Sequence, residues 1–186
     1  MTTHETQLCY RLRDRRPVDA PRRLGSFYRT APSMKDLIDQ ARNGSFAAPV
    51  EIYVRIDELV GDRVSPRQLL QGEAQPAALL GEAFLTLTAP THRTRARRAY
   101  VFMIGAAVIR RRLADYATST AQASPTDVLP LSMETVDALL PPDPSLSAVP
   151  AAAMGVLDVA LHQLGAQHAR PAHIIECRLF GGMPVD

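Results

Sequence analysis

The chain has 186 residues, 46% of them hydrophobic, and a formal net charge of only +2. That length supports one or two small domains with real cores, and every apolar stretch is broken by charge or proline before the roughly 18 residues a bilayer crossing needs. Two distant cysteines, Cys9 and Cys177, make no disulfide framework, and the polar start MTTHETQLCYRLRDRR is no secretory signal, so the reducing cytoplasm is the expected compartment.

Lys35 is the single lysine among the 21 basic residues; arginine grips phosphate through a planar fork that lysine lacks. Residues 1–33 hold seven arginines against Glu5, Asp14 and Asp19, with three prolines and little periodicity, and read as a basic flexible arm. Ser33 then caps a helix with Met34, Leu37, Ile38 and Ala41 on one face, stopped by Asn43-Gly44. Ile52, Ile56, Leu59 and Val60 recur at helical spacing before Gly61. Pro76 suits a first helical turn, after which Leu79, Leu80, Ala83, Phe84 and Leu87 form one stripe.

A longer helix is expected from about Arg95 to Ala117. Residues 91–112 carry Arg93, Arg95, Arg97, Arg98, Arg110, Arg111 and Arg112 and no acid, flanking an apolar middle from Val101 to Ile109. This is either a solvated surface or a phosphate-binding one. Residues 118–150 invert the sign: Asp127, Glu134, Asp137 and Asp143, no Lys or Arg, and six prolines. They read as an acidic linker with one short helix over Ser132–Leu140. Two amphipathic helices follow, one showing Met154, Leu157, Leu161 and Leu164, the other Ile174, Ile175, Leu179 and Phe180 up to Gly181-Gly182. No strand alternation stands out, so the chain reads as all-α.

No catalytic or metal constellation assembles. His173 and Cys177 share a helical face, but with His162 and His168 they lack the second cysteine pair of a zinc site. Phosphate-loop, nucleophile-elbow and H-E-x-x-H patterns are absent. Asp57 and Glu58 are helical neighbours that point apart, so they form no acid/base dyad. No cofactor, metal or enzymatic activity is expected.

Three stretches, in order, resemble bacterial extracytoplasmic-function sigma factors. Gln75-Pro76-Ala77-Ala78-Leu79-Leu80-Gly81-Glu82-Ala83-Phe84-Leu85-Thr86-Leu87 is similar to their Q-P-T-A-L-V-H-E-A-Y-L-R-L. The run from Val101 to Ala117 resembles F-F-A-A-A-A-R-A-M-R-R-I-L-V-D-H-A. Leu157 to Leu161, Arg170, and Ile174 to Met183 look like L-D-E-A-L…R…V-V-E-L-R-F-F-G-G-L. The match departs at Gly81, Ala107, Arg112 and Pro184. It also stops at Asp186, where the family continues into a helix-turn-helix, which implies a divergent, C-terminally truncated member.

The resemblance implies a sigma region 2-like helical domain over 34–117 and a short, incomplete region 4-like helix pair over 151–186, joined by the acidic Pro-rich linker of 118–150. It implies that Leu79, Leu80, Glu82, Ala83, Phe84 and Leu85 meet the clamp helices of the largest subunit of core RNA polymerase. The melted promoter strand would meet Arg93, Arg95, Arg97, Arg98, Arg110, Arg111 and Arg112, with Tyr100 and Phe102 as candidate base-stacking rings. An anti-sigma protein is a further candidate partner; a membrane is not. Two other readings stay open. One is a degenerate homologue acting as a non-initiating polymerase- or partner-binding module. The other is an unrelated basic DNA-binding protein whose arm and 91–112 cluster share one face.

Overall fold

The computed structural model describes residues 31–123 and 151–183. Among them every regular element is helical, in keeping with the all-α reading. The arm up to residue 30 and the expected helix at Ser132–Leu140 lie outside the described residues.

Local chemistry accounts for most boundaries. Helix α1, Met34–Arg42, opens on a capping box: the Asp36 N–H donates to the Ser33 hydroxyl at 3.2 Å, and the Ser33 N–H donates to the Asp36 carboxylate at 3.3 Å. It stops where Gly44 takes φ 91°, a left-handed backbone that a side chain disfavours. Helix α2, Ala47–Arg63, tolerates Pro49 because a first-turn residue needs no N–H partner. Gly61, which follows the apolar repeat, lies inside it. Short α3, Pro66–Leu70, has its own Ser65–Gln68 capping box. Helix α4, Pro76–Leu87, starts on Pro76 as its sequence suggests.

After a 3-10 turn at Pro90–His92 comes α5, Arg95–Ala123. It runs past the expected end at Ala117. The hydroxyls of Thr118, Ser119 and Thr120 donate back to the carbonyls of Ala114, Asp115 and Tyr116, so these polar residues leave the helix unbroken. Helices α6, Ala151–Gln167, and α7, Ala169–Leu179, complete the described fold.

Helix α5 is the axis on which the others pack. Its middle is buried nearly all round, which is why Val101 to Ile109 is almost continuously apolar. Helices α1, α2 and α4 close over it with Leu37, Ile38, Ile52, Ile56, Val60, Leu79, Leu80 and Phe84. The α6–α7 pair does not stand apart. Met154, Leu161 and Phe180 join the same hydrophobic cluster, so both helical stretches meet in one core. Two short helices alone bury too little area to be stable, and α5 supplies the missing surface.

The buried face of α7 differs from the expected stripe. Ala172, Glu176 and Phe180 point inward, whereas Ile174 and Ile175 lie exposed. The inward position of a carboxylate is explained by its partner, Arg110.

Candidate functional site

Helix α4 sorts its signature residues by face. Leu79, Leu80, Ala83 and Phe84, spaced i, i+1, i+4 and i+5, are buried and hold the helix on α5. These four belong to the chain's own core, as some apolar residues of the signature must. Glu82 and Leu85 remain outside, and Leu85 is 51% exposed although it is a large aliphatic. Ala78 completes their exposed row at i, i+4 and i+7, a position the sequence reading did not single out. Arg63 of α2 donates to the Glu82 carboxylate at 2.6 Å and so orients it.

The arginines of 93–112 divide in the same way. Arg93 is exposed, but its guanidinium donates to the carbonyls of Leu85 (2.8 Å) and Thr88 (3.1 Å), satisfying the open end of α4. Arg97 reaches Asp39 of α1 at 3.3 Å. Arg111 pairs with Asp115 one turn on, at 3.1 Å. Arg112 donates to the Asp57 carboxylate at 2.5 Å and to the Asp57 carbonyl at 2.6 Å. Arg110 is buried, held by Glu176 at 2.6 Å and by Asp158. The cluster looked uncompensated because no acid lies within 91–112; the acids arrive from α1, α2, α6 and α7, and from the next turn of α5 itself.

Arg95 and Arg98 remain on the exposed surface, with Arg93 beside them. Arg98 stands 5.0 Å over the ring of Phe102. Phe102 and Tyr100 are themselves buried, so in this structure neither offers a ring face for base stacking. Phe102 instead serves as a platform that orients a guanidinium. These arginines surround the start of α5, where the Thr94 hydroxyl accepts the Arg97 N–H at 3.3 Å. Cations oppose the helix dipole at that end, so the dipole gives no reason for them. Open N–H groups and arginine forks together suit an anion.

Among the described residues no three His, Cys, Asp or Glu side chains gather as metal ligands. His173 Nε2 touches Cys177 Sγ at 3.4 Å. Burial, and then the neighbouring Glu176 carboxylate, push the Cys177 thiol up to about 12, which makes it a poor nucleophile near neutrality.

A helical fold that buries the middle of an arginine-rich helix, leaves cations at its start and exposes a leucine on a neighbouring helix defines a class: all-helical modules with a basic surface beside an apolar one. A family model described as "ECF sigma factor" matches residues 32–186, and the chain belongs to the ECF sigma factor family, whose members act in transcription and are not enzymes. No curated protein and no solved structure matches it. Among the described residues no helix is long and apolar enough to cross a membrane.

Proposed function

We propose that this chain binds core RNA polymerase through the outer face of α4 and melted promoter DNA through the start of α5, directing transcription initiation in the cytoplasm. The observation that carries the reading is the exposed row Ala78, Glu82 and Leu85 inside the match to Q-P-T-A-L-V-H-E-A-Y-L-R-L. A leucine kept half in water on a helix whose other face is fully packed fits a protein contact. Support on the nucleic-acid side comes from Arg93, Arg95 and Arg98 at a helix start where the dipole disfavours cations. An anti-sigma protein competing for the same α4 row is a further partner under this reading.

The test is a pull-down with core RNA polymerase. Glu82→Arg with Leu85→Glu alters two exposed positions, so the variant keeps its helical circular dichroism and loses polymerase binding. A folded double variant that still binds polymerase overturns the reading. A second reading, a polymerase-binding module that does not initiate, is favoured by the internal engagement of Arg97, Arg110, Arg111 and Arg112. Polymerase binding without opening of promoter DNA in a permanganate-footprint assay would select it.

A further inference from the structure

Arg63 ends α2 and lies outside the three stretches that carry the family resemblance. It reaches across to α4 with both arms of its guanidinium. Nη1 donates to Glu82 Oε2 at 2.6 Å, and Nη2 donates to the Thr86 hydroxyl at 3.4 Å. That hydroxyl in turn donates to the Glu82 carbonyl at 2.9 Å. Glu82 and Thr86 stand about one turn apart on α4, so a single fork braces the carboxylate along the helix's outer face.

The brace is itself anchored. Val60, just before Arg63, is fully buried, and the Val64 N–H closes the last turn onto the Val60 carbonyl at 3.1 Å. Farther back, Asp57 is clamped by Arg112 of α5. The end of α2 is thus fixed to the core before it touches α4.

Folding gains little from the ion pair. The Glu82 side chain is 64% exposed and that of Arg63 35%, and water screens a pair that wet. Its consequence is geometric. A free glutamate on a helix surface samples several rotamers and gives them up when a partner docks. Held on Oε2, Glu82 keeps one orientation, and its Oε1 makes no hydrogen bond among the described residues. Half-exposed Leu85 stands one turn further along the same row. A fixed acceptor is thereby presented beside an apolar side chain, which suits a partner with a donor group at the rim of an apolar pocket.

We infer that Arg63 is a positioning residue for the protein contact of α4: it holds Glu82 by Oε2 and leaves Oε1 to accept a hydrogen bond from an arginine, lysine or amide of the polymerase. The docking surface then spans the end of α2 as well as α4. This rests on the polymerase reading given above.

The test is a double-mutant cycle on the affinity of the full chain for core RNA polymerase, with urea denaturation of the same proteins. Arg63→Ala weakens polymerase binding about fivefold, the cost of ordering one long side chain, while the urea midpoint stays within error. Glu82→Ala weakens binding further, and Arg63→Ala adds nothing in that background, where no carboxylate is left to hold. Arg63→Lys regains part of the loss, because an ammonium reaches Glu82 but lacks the fork that also takes Thr86. Unchanged or tighter binding by Arg63→Ala overturns the inference and leaves the polymerase reading standing. An equal loss in the Glu82→Ala background also overturns it, since Arg63 would then touch the polymerase directly. If the parent chain does not bind core polymerase, the polymerase reading falls and takes the role of Arg63 with it.

Discussion

At residue scale, burial of a charge is decided by its partner. Glu176 sits on the inward face of α7 only because Arg110 of α5 meets it at 2.6 Å. Glu176→Leu alone leaves that guanidinium buried against Asp158, and urea denaturation should show a loss of about 3 kcal/mol. Arg110→Met together with Glu176→Leu should recover most of it, because two apolar side chains replace the pair and Asp158 can turn to water. A smaller effect belongs to α1. The Ser33 side-chain hydrogen bond foremost holds the Asp36 carboxyl below its usual 3.8, and Lys35, followed by Arg97, does the same for Asp39. A lowered folded-state value means stability that is present above pH 3.8 and lost as pH falls beneath it. The urea midpoint should therefore fall below about pH 4, and less steeply in an Asp36→Asn, Asp39→Asn variant. The Ser33 cap of α1 was legible in the sequence, because the backbone it caps lies only three residues on. The Arg110 triad was not, because its members are 48 and 66 residues apart.

At the scale of the element, two helix glycines show how context sets the sign of one substitution. Gly81 lies inside α4 with nothing within 4 Å of a Cβ placed there. Gly81→Ala should stabilise the fold by about 0.5–1 kcal/mol, the difference in helix propensity. Gly61 lies inside α2, and its Cβ would fall on the guanidinium of Arg112. That group is already held by the carboxylate and carbonyl of Asp57, and charge-assisted bonds are worth roughly 1.5–3 kcal/mol. Gly61→Ala should therefore cost about 1 kcal/mol net of its propensity gain, read from the same denaturation curves. Gly61 resembles a helix stop in sequence because glycine so often is one; its use as clearance for a distant arginine is visible only once α5 lies against α2. Arg112, an aliphatic position in the resembled motif, gains its explanation from the same contact.

At the scale of the whole molecule, folding redistributes a charge cluster that is contiguous in sequence. Four of the seven arginines between 93 and 112 are taken up by acids, and the exposed cations gather at the start of α5. Binding to single-stranded DNA should follow that division. Arg95→Ala with Arg98→Ala should flatten the log–log salt slope by about 1.4 in a fluorescence-anisotropy titration, two contacts at roughly 0.7 each. Arg111→Ala with Arg112→Ala should leave the slope nearly unchanged, since those side chains stay with Asp115 and Asp57. An equal loss in both pairs would place the DNA along the full length of α5.

What the sequence determined by itself is what short range controls. Periodic apolar residues, Ser33, Asn43-Gly44 and Pro76 specify helices and several of their ends, and three collinear motifs carry the family resemblance, which the match over residues 32–186 supports. Tertiary structure alone decided which face of each helix looks outward where polarity misleads: Leu85, Ile174 and Ile175 lie exposed, while Arg110 and Glu176 are buried. It also decided that the C-terminal pair shares the core of α5. The physical reason is that side-chain periodicity is a property of one helix. Desolvating a charge is tolerable only when an opposite charge from another helix arrives within hydrogen-bonding distance, and that meeting is made by the packing of helices far apart in the chain.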